Sequence, residues 1–348
     1  MMHAKGGRSS LAKFTLFLLM VVLCLVALFS LTIGSSDTSL AASLWTLMQG
    51  EPIGVKEQVI LFEIRAPRTV MGLLVGASLA VSGAIMQGLF RNPLADPGLI
   101  GVSSGAGLRA VTAMVIGGLL PVSILNTVGG FLVPVAAFIG GWGCMLILYK
   151  IATRQGRTSV AVMLLAGLAL SAFAAALSGL LIYFSNDSQL RNLTFWNLGS
   201  IAGANWQVLT IAGPLMLISL LLAPILASGL NRLALGEATA MHLGVSIQRL
   251  KRASILLVGL SVGVAVAVSG TIGFIGIIVP HLLRIVIGPN HRYLLPAAAI
   301  LGAISLLLAD MLSRTLIAPA ELPIGIVMAL LGGPFFLYLL LRNRSLLD

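Results

Sequence analysis

Uncharged apolar runs recur along this chain at the length an α-helix needs to cross a bilayer, and no other feature restricts its fold as much. The first, FTLFLLMVVLCLVALFSLTIGSS, extends from Phe14 to Ser36 without a charged side chain. About 20 such residues in a helix cover the hydrocarbon core. Ten apolar segments can be marked, at roughly 14–34, 66–89, 97–118, 121–149, 159–184, 206–228, 253–276, 278–288, 294–312 and 322–341. The segment at 278–288 is too short to span as a straight helix, so ten counts elements rather than full crossings. Only 9% of the 348 residues are charged, where a soluble domain carries about a quarter. Such a chain cannot cover its surface with polar groups. The expectation is an all-α, polytopic membrane protein of about ten transmembrane helices, forming one domain over residues 1–348.

The formal charge is +11, but the basic residues fall between the apolar runs rather than along one face. That fits topology-setting loops and not a nucleic-acid surface. Lys5, Arg8 and Lys13 precede a first run too long for a signal-peptide core, so it reads as a retained helix with its basic end in the cytoplasm. Lys150, Arg154 and Arg157 share one loop, Arg232, Arg249, Lys251 and Arg252 another, and Arg342 and Arg344 close the chain. An even number of crossings places all three groups in the cytoplasm. Segments 35–64 and 185–205 then lie outside; the first holds four of the ten acidic residues, and Trp196 and Trp206 mark the interface near the second. Cys24 and Cys144 both lie within apolar segments, which argues against a disulfide or a metal site.

Residues 65–93 align with 252–280 at an offset of 187, without a gap and with 12 identities in 29 positions. The matches include Arg65/Arg252, Gly72/Gly259, Gly76/Gly263 and Pro93/Pro280, and AVSG at 80–83 recurs at 267–270. Five crossings separate the copies, an odd number, so the halves (about 14–184 and 206–341) are expected to be inverted relative to one another. Inverted repeats with Gly- and Pro-interrupted helices are a transporter signature. Many of the glycines stand at helical small-residue spacing, which for most of them means ordinary close packing.

No nucleotide-binding loop, zinc-protease motif, nucleophile elbow or Cys/His cluster occurs, so no catalytic residue, metal or cofactor is expected. His281, in VPHLLR, reads as a cap or packing residue in preference to a ligand. Few ionisable residues fall within the spans; Asp310 and Glu321 are expected to flank the last outer turn. Ion-coupled carriers use intramembrane carboxylates, so their scarcity points to another energy source. The polar stretch 228–252 reads as two short helices broken at Gly236 and Gly244, with Glu237 capping the second. Leu233, Leu235, Ala238, Met241, Leu243 and Val245 are its apolar anchors. Two readings stay open: a docking element for a soluble partner, or a helix lying on the membrane surface. The stretch FRNPLADPGLIGVSSGAG (90–107) is the other anomaly, polar and helix-breaking between two apolar segments.

RAPRTVMGLLVGASLAVSGAIMQGLFRNPLADPGLIGVSSGAG (65–107), LGEATAMHLGV (235–245), GFIGIIVPHLLR (273–284) and LLLADMLSRTLIAPAELPIGIVMALLGGPFF (306–336) together resemble the FecCD-type permeases. These are membrane subunits of binding-protein-dependent ABC importers for iron-siderophores, haem and cobalamin. The resemblance runs from about residue 60 to the end. It implies a homodimeric permease of the bacterial inner membrane, with two ATP-binding-cassette ATPase subunits inside, a periplasmic substrate-binding protein outside, and the path on the dimer axis. It further implies that 229–247 couples to the ATPase through Leu235, Gly236, Glu237, Ala238, Met241, His242, Leu243 and Gly244. By the same resemblance Asn92, Pro93 and Leu94 form a gate at the path's exit, with Thr158 and Ser159 as a second gate turn. Arg65, Arg68 and Arg314 match arginines that grip glutamates on the binding protein, which suits their planar forks. On the residues alone, Arg65 and Arg68 read equally as interfacial side chains snorkelling at a helix end. The wording LFRNPLADPGLIGVSSGA is closest to haem (hemin) permeases, with ferric siderophore and cobalamin as alternatives. A secondary carrier and a membrane scaffold are the competing classes.

Overall fold

The computed structural model describes residues 4–34, 49, 54–118, 120–155 and 157–342. Most of the outer segment 35–64 up to residue 53, together with Arg344, lies outside the described residues. Seven helices among them are long and apolar enough to cross a membrane, and three shorter apolar helices accompany them. These ten coincide with the ten segments read from the sequence. In chain order the helices are α1 (Ala4–Thr32), α2 (Val55–Phe90), α3 (Val102–Gly117), α4 (Val122–Ala152), α5 (Val160–Tyr183), α6 (Asp187–Leu198) and α7 (Trp206–Leu222). The short α8 (Ala227–Leu233) and α9 (Glu237–His242) follow, then α10 (Ile247–Ser269), α11 (Ile275–Ile287), α12 (His291–Thr315) and α13 (Ile324–Arg342). A two-stranded antiparallel hairpin, β1 (Thr153–Arg154) and β2 (Arg157–Thr158), joins α4 to α5.

Helix α2 is the centre of the packing. Most of its apolar window is buried, whereas α1 and α5 leave theirs largely uncovered, as helices facing lipid or another subunit do. It packs against α7, α10, α11 and α12, and its glycines permit the closest of these approaches. A Cβ at Gly76 would stand 2.4 Å from the Gly302 carbonyl oxygen of α12, and one at Gly83 would stand 1.9 Å from that of Gly276 in α11. Only a residue without a side chain fits either crossing.

The helix pairing also carries the repeat. If α2, α3, α4 and α5 are exchanged with α10, α11, α12 and α13, the contact of α2 with α12 becomes that of α10 with α4. The pairs α3–α4 and α3–α5 become α11–α12 and α11–α13, and α2–α11 becomes α10–α3. Every one of these contacts is present. A two-fold relation between the halves requires this pattern.

Side-chain contacts sort the helix ends into two groups. Ser9 Oγ lies 2.9 Å from Tyr293 OH, joining the start of α1 to the start of α12. Asn231 of α8 donates to Asn290 at 2.8 Å, and the His291 ring rests on Gly88 near the end of α2. The hairpin meets the first turns of α10 through Thr158 and Gln248. The basic loops at 150–157 and 232–252 therefore share one end of the molecule, as the charge distribution requires of a cytoplasmic face. At the other end, Ser30 lies 2.9 Å from Thr69, and Trp206 Nε1 donates to the Phe62 carbonyl at 2.8 Å.

Several boundaries differ from the sequence reading: α2 begins at Val55 rather than 66, and α3 at Val102 rather than 97. The seventh segment, expected over 253–276, is helical over Ile247–Ser269. Gly270 at φ +67° and Phe274 at φ +69° take left-handed backbone and stop it. Helix α11 then begins at Ile275, three residues ahead of the expected eighth segment, and His281 falls inside it rather than at its start. The His281 ring packs edge-on to Phe335, in keeping with the packing reading.

Candidate functional sites: a turn, a coupling element and an arginine cluster

The polar stretch after α2 is a turn that enters the protein. Arg91, at φ +50°, ends the helix, and the Asn92 amide reaches back to the Gln87 carbonyl at 3.1 Å. The Asn92 side chain accepts from the Leu94 amide at 2.9 Å, closing an Asx turn. Asp96 accepts from the Gly98 amide at 2.7 Å and starts a single 3₁₀ turn, Pro97–Ile100. Asp96 and Pro97 press against Gly276, at the level of the Leu79 carbonyl. Irregular backbone at such depth persists only where protein encloses it or a cavity borders it. Asn92 and Pro93 are exposed and Leu94 is half-exposed, so Leu94 is not sealed beneath the Pro93–Pro97 turn.

The hairpin and the coupling stretch meet on α10. Gln248 accepts the Thr158 amide at 3.0 Å, and Lys251 Nζ donates to the Thr158 carbonyl at 3.1 Å. Thr158 is buried, while Ser159 is exposed and caps α5 by accepting from the Val162 amide at 3.4 Å. The breaks at Gly236 and Gly244 are as expected, with φ of +106° and +81°. Glu237 is the acidic first-turn residue of α9, where the helix N-terminus favours negative charge, and its carboxylate also pairs with Lys251 at 2.9 Å. Leu235, Met241 and Leu243 stand exposed on this element, Ala238 and His242 are exposed beside them, and Ala240 is buried.

The arginines lie at the opposite end and turn inward. Arg65, Arg68 and Arg314 are each 5% exposed or less, so none snorkels along the surface. Arg68 holds Asp310 Oδ1 through Nε at 3.0 Å and Nη2 at 2.8 Å, and grips Glu321 with Nη1 at 3.0 Å and Nη2 at 2.9 Å. Arg314 Nη2 lies 3.0 Å from Asp310 Oδ2. Arg65 donates to the Leu31 and Thr32 carbonyls at 2.9 Å, and Arg314 to the Ser30 carbonyl at 3.3 Å. These are C-terminal carbonyls of α1, where a helix lacks its own donors and favours cations. Asp310 and Glu321 meet at this outer end on either side of Arg68, and Asp310 is fully buried within α12, where Arg68 and Arg314 neutralise it.

A cavity of about 380 Å³ opens between α3 and α5, its mainly apolar wall carrying the polar side chains of Ser103, Ser104, Ser171, Ser178, Asn197 and Thr271. Ser104 donates to Ser171 across it at 2.9 Å.

A bundle of this size, with an irregular turn sunk among broken helices and an amphipathic element at its basic end, defines a multi-pass transport permease. The sequence matches the FecCD transport family over residues 19–342, and the chain belongs to that family. It is 44% identical over 327 residues to the hemin transport system permease protein HmuU of Yersinia pestis, covering 94% of this chain and 95% of that one. To the vitamin B12 import system permease protein BtuC of Klebsiella pneumoniae it is 41% identical over 344 residues, covering 99% and 97%. Among solved structures, an inward-facing metal-chelate type ABC transporter superposes with a TM-score of 0.82 at 34% identity, covering 94% of this chain and 98% of that one. The chain is an ABC-importer permease, a transport subunit of systems that work with ATPase and binding-protein partners.

Asp310 is expected to be the keystone of the outer end. Asp310→Asn would leave Arg68 and Arg314 with one carboxylate between them and cost about 3–5 kcal/mol, as breaking a buried pair does. Glu321→Gln, at a site one-third exposed, should cost about 1 kcal/mol or less. Thermal unfolding of both variants in detergent tests this order; equal losses would contradict it.

Proposed function

We propose that this permease carries haem across the bacterial inner membrane, as a homodimer with two ATPase subunits and a periplasmic binding protein. The observation that carries the substrate is the likeness to the hemin permease over nearly the whole of both chains, together with the wording of the 89–106 turn. The competing substrates are cobalamin, which the B12 permease relative favours, and ferric siderophores. Energy enters through 229–247, where Leu235, Gly236, Glu237, Ala238, Met241, His242, Leu243 and Gly244 form the surface offered to the ATPase. The exposed apolar side chains there, at the basic end, support that role.

Asn92, Pro93 and Leu94 with Thr158 and Ser159 form the cytoplasmic gate, and the cavity beside α5 borders the path. The uncovered length of α5 supports a second copy packing there. An apolar side chain in a narrow path closes it by dewetting, with no charged barrier. At the outer end Arg65, Arg68 and Arg314 receive carboxylates of the binding protein. Because Arg68 already holds Glu321 in a two-pronged grip, an incoming carboxylate exchanges with Glu321 while Asp310 stays in place.

With its ATPase and binding protein in proteoliposomes, the permease is expected to raise ATP hydrolysis on addition of haem, but not of cyanocobalamin or a ferric hydroxamate. Stimulation by either of the others and not by haem would reassign the substrate. Leu94→Cys should cross-link between subunits with a yield that changes on ATP binding. Absence of any inter-subunit product in every nucleotide state would return Leu94 to packing within one subunit.

A further inference from the structure

Lys251 is a cation placed where cations are costly, with its side chain 6% exposed in the first turns of α10. A buried ammonium persists only where its donors are matched. Its partners belong to two different elements. Glu237 of the coupling stretch lies 2.9 Å away, and the Thr158 carbonyl of the gate hairpin accepts at 3.1 Å. One turn earlier on the same helix, Gln248 accepts the Thr158 amide at 3.0 Å. Both backbone polar groups of Thr158 are therefore held by side chains of α10. The next residue, Ser159, is the cap from which α5 starts.

We propose that Lys251 is a positioning residue that links the coupling element to the gate, so that displacement of α9 by the ATPase moves Thr158 and the start of α5. The inference rests on the roles assigned above to 229–247 and to Thr158–Ser159. The link is short and stiff. Glu237 is the first residue of α9, directly after the Gly236 break, so a rotation of α9 about that glycine carries the carboxylate with it. The ammonium cannot let go of the carboxylate without standing as a lone buried charge, so it follows. The exposed side chains of Leu235, Met241 and Leu243 stay available for the ATPase, because Glu237 reaches α10 instead. An ordinary stabilising ion pair would join the same atoms, but it would have no effect on how the gate answers to nucleotide.

The test uses the assembled permease–ATPase complex carrying Ser159→Cys, a residue exposed at the gate, and reads its labelling by a membrane-impermeant maleimide with and without ATP. In the otherwise unaltered complex the labelling rate should change about fivefold or more on ATP binding. Lys251→Met should keep the ATPase bound and hydrolysing but abolish that change. Glu237→Gln should weaken it, and the double variant should do no more than Lys251→Met alone. Gln248→Leu, which frees the Thr158 amide, should also diminish the change and serves if the Lys251 variant fails to fold. A full ATP response in either folded variant overturns the proposal, and so does loss of the ATPase from Lys251→Met, which would make Lys251 part of the docking surface. No ATP response at Ser159→Cys in the parent complex overturns the link while leaving the docking assignment intact. A parent complex that binds no ATPase fails at the assignment itself and takes the link with it.

Discussion

Helix α2 touches its neighbours backbone to backbone, and the rest of the molecule is arranged around that contact. Between helices in lipid there is little hydrophobic gain, because the tails are as apolar as leucine; packing and hydrogen bonds must hold them together. Gly76 against Gly302 and Gly83 against Gly276 remove the side chains that would keep α12 and α11 apart from α2. The second contact fixes where α11 can begin, and so forces the irregular backbone at Gly270–Phe274. It also leaves the space into which Asp96 and Pro97 fold. The inner part of the turn, at Ala95–Pro97, is thus seated beside the glycine crossing.

Polar groups are concentrated at the two ends, and each end solves the cost of burial differently. The outer end closes a network of charges: Asp310 between Arg68 and Arg314, with Glu321 at the edge. Its arginines also bind the last carbonyls of α1, tying that weakly packed helix to the core. The cytoplasmic end is joined by side-chain links between separate elements, among them Lys251 to Glu237 and Thr158, and Asn231 to Asn290 and His291. A permease that must open at the inside needs connections there that are strong but few.

The sequence made the number of helices, their sidedness and the family legible, because hydropathy, loop charge and the Gly/Pro register act locally. The breaks at Gly236 and Gly244 were readable for the same reason: left-handed backbone is what glycine permits. Phe274 hid its break, since a phenylalanine at positive φ has no sequence signature. The full burial of Asp310 was not legible, because its neutralising partner Arg68 lies 242 positions away in the chain. Glu237 was legible as an acidic residue at a helix start, but not its pairing with a lysine fourteen residues on. Lys251 itself read as one more topology-setting charge. Residues defined by distant partners are invisible to periodicity, and most of the candidate site is made of them.

This chain is expected to move its substrate only when an ATPase works on 229–247. Uptake into proteoliposomes decides it, comparing the permease alone under imposed proton and sodium gradients with the permease joined to its ATPase and binding protein and supplied with ATP. Accumulation of haem, cobalamin or a ferric hydroxamate should occur only in the second case, and should stop when ATP is replaced by a non-hydrolysable analogue. Gradient-driven accumulation by the permease alone would instead make the protein a secondary carrier and remove the need for 229–247.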